Sequence, residues 1–238
     1  MKKKNVKVLK VIMFILTLII IISTIIYLTP IMKSITTPYG RIVFKQRIDD
    51  AGIFGVLMLF ILQIAQIFLI IFPGEPLEIM AGMCYGTIGG TIFIFSTVFI
   101  TTTILFYLVR KYGKRFVYQF FSKERVDKIQ KSKVFKKQKN IEIIFSILFL
   151  IPGTPKDLLV YIGGLLPVNP IRFVLISTFA RFPSVISSTI AGANLINGNW
   201  KISVIVYILT FILTTIFVII VNKFDKNKIT EKAINTIK

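Results

Sequence analysis

Residues 11–28 read VIMFILTLIIIISTIIYL, a run without a single charge, and residues 201–221 are as cleanly apolar after Lys201. Crossing a bilayer as a helix takes about 20 mostly apolar residues, so both runs read as spanning helices. Four more stretches qualify or nearly so. Residues 53–72 are interrupted only by Gln63 and Gln66. Residues 91–109 carry a threonine patch at Thr101, Thr102 and Thr103. Residues 141–166 are broken by P-G-T-P-K-D, and residues 170–190 contain Arg181 and Pro183. The first run follows the basic start MKKKNVKVLK with no small-residue cleavage site after it, so it reads as an uncleaved signal-anchor helix.

Composition agrees and excludes several classes. Mean hydropathy is +0.79, with 55% hydrophobic and 17% charged residues. Soluble domains carry roughly 25% charged residues, which excludes a soluble enzyme and a disordered chain. The formal charge of +20 therefore belongs beside anionic lipid and not on nucleic acid. There is no histidine and one cysteine, Cys84, which reads as a small buried residue. No disulfide within the chain and no zinc site of the His/Cys type can be built. Hydrolases of the Ser-His and Cys-His kinds are excluded, and neither a Walker loop nor a G-x-S-x-G elbow is present. The reading is of a protein that is not an enzyme and has no cofactor and no metal, with only an acid-driven lipid hydrolase formally open.

Charge in the loops sets the topology. Residues 110–139 hold twelve Lys/Arg against Glu124 and Asp127, so the positive-inside rule makes them cytoplasmic. The basic N-terminus and the tail 222–238 belong on the same side. Apolar residues between the charges of 110–139, such as Phe116, Phe120, Phe121, Val126 and Ile129, recur at near-helical spacing, the pattern of an interfacial helix on anionic lipid. If 53–72 and 91–109 were both simple spans, residue 110 would lie outside. Parity is restored when 53–90 enters from outside and returns as a re-entrant hairpin, and 141–166 does the same from inside. Spans at 91–109, 170–190 and 201–221 then leave both termini cytoplasmic.

The two hairpin tips read alike. Pro73-Gly74-Glu75-Pro76 is followed by Glu78, and Pro152-Gly153-Thr154-Pro155 by Lys156 and Asp157. Each has P-G-x-P and an acid two residues after the second proline. Paired interrupted segments of this kind are the signature of an inverted-repeat transporter with a site near the midplane. Proline breaks the helix, and the residues just past it lie at a half-helix N-terminus, where free N–H groups favour anions. Glu75, Glu78, Lys156, Asp157 and Arg181 fall inside apolar stretches. A charge at the bilayer centre costs about 2.5–3.5 kcal/mol on insertion scales, so these residues face a polar interior and pair. Arg181 is the partner for Glu78 or Asp157. Either the five line a polar transport cavity, or they form structural ion pairs that lock the hairpins together. Ser184, Ser188 and Gly192 stand four apart as a helix-packing face. Asn194, Asn197 and Asn199 mark an exposed turn, with Trp200 at a membrane interface.

The tips, together with I-P-G-T-P-K-D-L-L-V-Y-I-G-G-L (151–165) and T-F-A-R-F-P-S-V-I-S-S-T-I-A-G (178–192), resemble the SNARE-associated Golgi protein family. These are the VTT-domain membrane proteins of the DedA superfamily, and the resemblance covers roughly residues 50–221. It implies two facing re-entrant hairpins surrounded by helices and a role in moving lipids across bilayers. The family's acids and arginine fall on Glu75 or Glu78, Asp157 and Arg181. One position departs: where many members carry arginine, this chain has Phe149.

The expected architecture is an all-α polytopic membrane protein: an inverted repeat of re-entrant hairpin plus transmembrane helix, behind an N-terminal signal-anchor helix. Residues 1–52 form the N-terminal segment, 53–221 the membrane domain and 222–238 the tail. The expected activity is transport or scrambling of a lipid or lipid-linked anion in the plasma or inner membrane, by a proton-coupled route if the family's mechanism holds. An anionic phospholipid or a polyprenyl phosphate is the candidate substrate, nucleic acid is not a partner, and a homo-oligomer stays open. The competing class is a non-transporting scaffold or envelope-homeostasis factor.

Overall fold

The computed structural model describes residues 33, 35–69, 73–132, 135, 138–151 and 154–224. The signal-anchor run 11–28, tip residues Pro152 and Gly153, and the tail beyond residue 224 lie outside the described residues. Every regular element among the described residues is helical, and three helices are long and apolar enough to cross a membrane, or four if one bent pair is counted as a span.

A first compact unit ends at Met58. It contains α1, Pro38–Asp50, started by Pro38 and capped by the Thr37 hydroxyl, which accepts from the Gly40 N–H at 3.1 Å. Phe44 and Ile48 are buried, and Lys45 and Asp49 pair one turn apart. The helix stops at Ala51, and α2 opens at Ile53 and runs to Leu69.

The second unit begins at Leu59, within α2. Its longest element, α3, runs Glu75–Tyr112, 38 residues with acids in the first turn and Arg110 and Lys111 in the last. Both charge placements complement the helix dipole. At 1.5 Å per residue a straight helix of that length would be about 57 Å long, far beyond a hydrocarbon core of about 30 Å. It is not straight. Gly86 has φ 72° and ψ −177°, a backbone state open essentially to glycine alone. The chain reverses there: a methyl group on Gly90 would lie 2.8 Å from the Ala81 carbonyl oxygen, and the rings of Tyr85 and Phe93 come to 5.3 Å. A short arm, 75–85, thus precedes a spanning arm, 87–112. The span begins four residues before the position expected from hydropathy, because Thr87 and the glycines Gly89 and Gly90 already belong to it.

Beyond Gly113 lie α4, Lys114–Val117, and α5, Lys123–Lys131. Here the expectation of an apolar face turned to lipid is corrected. Val117, Val126 and Ile129 are buried in the protein core, and Phe116, Phe120 and Phe121 surround the Tyr161 ring at 6.0, 5.1 and 5.5 Å. Residues of α4 and α5 therefore cap the protein itself. A bilayer competes poorly for that face because Tyr161 offers an aromatic partner of matching size.

The second half repeats the order of elements. Helix α6, Gln138–Leu150, leads through the second tip to the short α7, Lys156–Leu165. After Leu166–Asn169, α8 (Pro170–Phe179) and α9 (Phe182–Ile196) together make a 27-residue apolar span. Asn169 caps α8 by accepting from the Arg172 N–H, and Pro170 occupies the first position, where its missing N–H costs nothing. Pro183 breaks the ladder between α8 and α9. A turn at Gly198 leads to α10, Trp200–Phe224.

Packing crosses between the halves. The short arm of α3 docks on α9: a side chain on Gly82 would overlap the Thr189 backbone, and one on Gly192 the Ile79 backbone. Thr91 and Thr189 share a hydrogen bond of 2.8 Å alongside. Short α7 docks on the spanning arm of α3, with Gly164 against Val109 and Phe106. At the far end of that arm, Arg110 donates to the Val168 carbonyl at 2.9 Å, so the end of α3 and the start of α8 lie on the same face.

Candidate functional site

The first turns of the two short helices carry the acids. Asp157 and Lys156 open α7, and Glu75 and Glu78 open the short arm of α3. Asp157 is 9% exposed and has a partner on each oxygen. Arg181 donates Nη1 to Oδ1 at 3.0 Å, and Gln66 donates Nε2 to Oδ2 at 2.7 Å. Of the two partners the sequence leaves open for Arg181, the carboxylate in hydrogen-bond contact is Asp157.

Arg181 is 4% exposed, near the middle of the 27-residue span. It is held from three sides. Nε donates to the Ser177 carbonyl at 2.9 Å, Nη1 holds Asp157, and the guanidinium carbon lies 5.2 Å from the centre of the Phe149 ring. The second terminal nitrogen, Nη2, is buried without a hydrogen-bond partner among the described residues. Pro183 and the end of α8 at Phe179 create this seat, because the helix break turns Arg181 inward at the α8–α9 junction.

Glu78 is 6% exposed and takes a hydrogen bond from Ser188, and its Oε2 has no partner among the described residues. Lys156 is itself 8% exposed, so its ammonium belongs to this interior cluster. Ser188 also accepts from Tyr207 at 3.2 Å, which links α10 to Glu78 through one hydroxyl. Ser184 lies toward a cavity of about 370 Å³ lined by Glu75, Ser187, Tyr207, Ile208, Thr210 and Phe211. Gly192 gives the backbone contact to Ile79.

The tips meet through Gln66. A methyl group on Gly74 would lie 3.6 Å from the Gln66 side-chain oxygen, while the same amide holds Asp157. At the second tip the Thr154 hydroxyl lies 2.7 Å from the Leu148 carbonyl oxygen and 2.9 Å from that of Ile151, closing the end of α6. Pro155 precedes α7, Pro76 lies in the first turn of α3, and Pro73 is exposed. Gln66 and Tyr207 were not singled out by sequence. An amide inside an apolar run is the signal that finds Gln66. A lone tyrosine in the apolar α10 carries no comparable signal. Among the described residues no group of His, Cys, Asp and Glu could hold a metal ion.

The geometry has counterparts in known sequences. Residues 72–194, more than half of the chain, match the VTT domain. The protein YqeD of Bacillus subtilis strain 168, itself described as uncharacterised, is 27% identical over 174 residues, covering 72% of this chain and 80% of its own length. No solved structure matches. The matched region starts at the first tip and ends just past the Gly192 contact, so it holds both short helices and both spans that carry the charged cluster. The chain is therefore a membrane protein of the VTT-domain family, the DedA and SNARE-associated group.

Proposed function

We propose that this protein moves a phosphate-bearing lipid between the leaflets of the plasma or inner membrane, without chemical change to the lipid. In this reading the arms at each tip are re-entrant hairpins of an inverted repeat, and both termini are cytoplasmic. The observation that carries it is the buried Arg181, held on three sides with Nη2 left over, beside Asp157 and near mid-span. Charges at that depth are expensive and mark substrate or ion pathways. Arg181 and Lys156 supply positive charge for the headgroup, and Glu78 and Asp157 are the carboxylates available to carry a proton. An anionic phospholipid and a polyprenyl phosphate both present the required phosphate.

The test is leaflet exchange of fluorescent phospholipids and of a polyprenyl phosphate in proteoliposomes, with and without a pH gradient. Wild type is expected to exchange lipid, and Arg181→Ala and Asp157→Asn to lose it. Dependence on the gradient names the proton as the coupling ion. A non-transporting scaffold is the second reading, favoured by the full engagement of Asp157. It predicts no exchange above empty vesicles by folded protein.

A further inference from the structure

The 370 Å³ cavity has a chemistry opposite to that of Arg181. Its only charged lining residue is Glu75, a half-buried carboxylate with no ion pair among the described residues.

Three of the four hydroxyls that line the cavity have spent their protons, and the fourth is that of Ser184. Ser187 donates to the Ser184 carbonyl at 2.8 Å, Thr210 to the Val206 carbonyl at 2.8 Å, and Tyr207 to Ser188 at 3.2 Å. A hydroxyl has one proton and two lone pairs. These three therefore meet a ligand as acceptors, beside a carboxylate that only accepts. Two aromatic rings, Tyr207 and Phe211, stand one turn apart on α10 and complete the wall. Acceptors and one negative charge together select a cation rich in N–H donors. A phosphate would meet one hydroxyl donor at most, that of Ser184, and a like charge at Glu75.

We infer that this cavity is a primary-ammonium site, taking the amino group of an aminolipid headgroup between α9 and α10. The assignment rests on the lipid-moving reading for its meaning, and it narrows the substrate to a lipid bearing both phosphate and amine. A polyprenyl phosphate has no amine to place here.

Binding separates this inference from transport. The full chain in detergent is titrated calorimetrically with dihexanoyl phosphatidylethanolamine, dihexanoyl phosphatidylglycerol and free ethanolamine. Wild type is expected to bind the ethanolamine lipid at least tenfold tighter than the glycerol lipid. Glu75→Gln, which keeps the shape, is expected to abolish that preference. Thr210→Lys, which adds a base to the wall, is expected to invert it, and it serves if Glu75→Gln fails to fold. Free ethanolamine binding as well as the lipid would make a soluble amine the ligand of the site; binding far more weakly would make it the lipid headgroup. Either supports an ammonium site. Equal binding of the two lipids by wild type, or a preference that survives Glu75→Gln, overturns it. Absence of leaflet exchange with the preference intact would remove the transport reading alone.

Discussion

The guanidinium carbon of Arg181 lies 5.2 Å from the centre of the Phe149 ring, and the ring itself is fully buried between Phe145 and Phe173. A neutral ring face thus lies beside the guanidinium. It holds the arginine in place without repelling it. Replacing the ring by leucine keeps most of the packing and removes the ring's quadrupole. Phe149→Leu is expected to cost about 2 kcal/mol or more, the value of a desolvated cation–π contact. Phe149→Arg, which sets like charges side by side in a buried place, is expected to cost more than Phe149→Leu. Thermal unfolding of both variants in detergent checks the order, and Phe149→Arg as stable as wild type would refute it.

Asp157 and Arg181 are expected to behave as one unit. Their side chains are 12% and 5% exposed, so each would be left as a buried lone charge without the other. Removing one partner of a buried pair typically costs about 3–5 kcal/mol. Asp157→Asn and Arg181→Gln should each be strongly destabilising, and the double variant should cost clearly less than the sum of the two. A double-mutant cycle on unfolding midpoints measures the coupling. Additive losses would mean that the pair does not stabilise the fold.

Much of this was legible in the sequence for a physical reason. The price of a charge in lipid makes Glu78, Lys156, Asp157 and Arg181 conspicuous, and the tip prolines mark where helices must stop. The less legible parts involve residues whose chemistry is ordinary in isolation. Gln66 is one amide in an apolar run, and only its contact with Asp157 shows why it is tolerated. Gly86 is one of several glycines after the first tip, and hydropathy runs straight through the reversal it makes. The amphipathic pattern of α5 is equally good for lipid and for protein; the position of Tyr161 decided which one its apolar face meets.

The basic cap is fastened by a small exposed clamp whose pH response follows from its groups. Asp127 accepts from Lys114 and from Tyr118, each at 2.8 Å. Those two hydrogen bonds hold the Asp127 carboxyl below its ordinary value of 3.8, and Asp127 holds Lys114 above 10.5. A depressed acid contributes fully above its unfolded value, and that contribution is lost as pH falls through the lower folded value. A raised base contributes fully below its unfolded value and loses this as pH rises through the higher folded one. The clamp should therefore hold across the neutral range, open below about pH 4 and loosen above about pH 10.5. Hydrogen exchange of the α5 amides against pH reads it. Asp127→Asn should flatten the acid limb, and an unchanged profile in that variant would assign the limb to other groups.

Of the two positive-φ glycines that bound the spanning arm, Gly86 should be more sensitive to a single methyl than Gly113. With φ at 72° and ψ at −177°, its backbone state is closed to alanine without strain, although open space surrounds it. Gly86→Ala is expected to cost about 1–3 kcal/mol through the backbone alone. Gly113→Ala has φ 63° but lies past the spanning arm, where the chain has more freedom to relax. Comparing the unfolding midpoints of the two tests the ranking, with equal losses as the contrary result.

The sidedness of the spans can be tested with single cysteines. Arg110 bonds the Val168 carbonyl, so the end of the α3 span and the start of α8 share one face with the basic cap. On the proposed topology that face is cytoplasmic, as the positive-inside rule asks of its charges. Asn169 is exposed there, and Asn199 is exposed at the other end of the 27-residue span. On a Cys84→Ala background, Asn169→Cys should react with a membrane-impermeant maleimide only after the cytoplasmic side is opened. Asn199→Cys should react in intact cells. Ile88, 76% exposed and just past the Gly86 reversal, should behave like Asn199 when replaced by cysteine, because the short arm of α3 docks near the C-terminal end of α9. Labelling of Asn169 and Asn199 from the same side would mean that α8 and α9 do not cross. Labelling of Ile88 with Asn169 would mean that the arm 75–85 does not turn back at the face where α9 ends, and the crossed packing of the two halves would have to be redrawn.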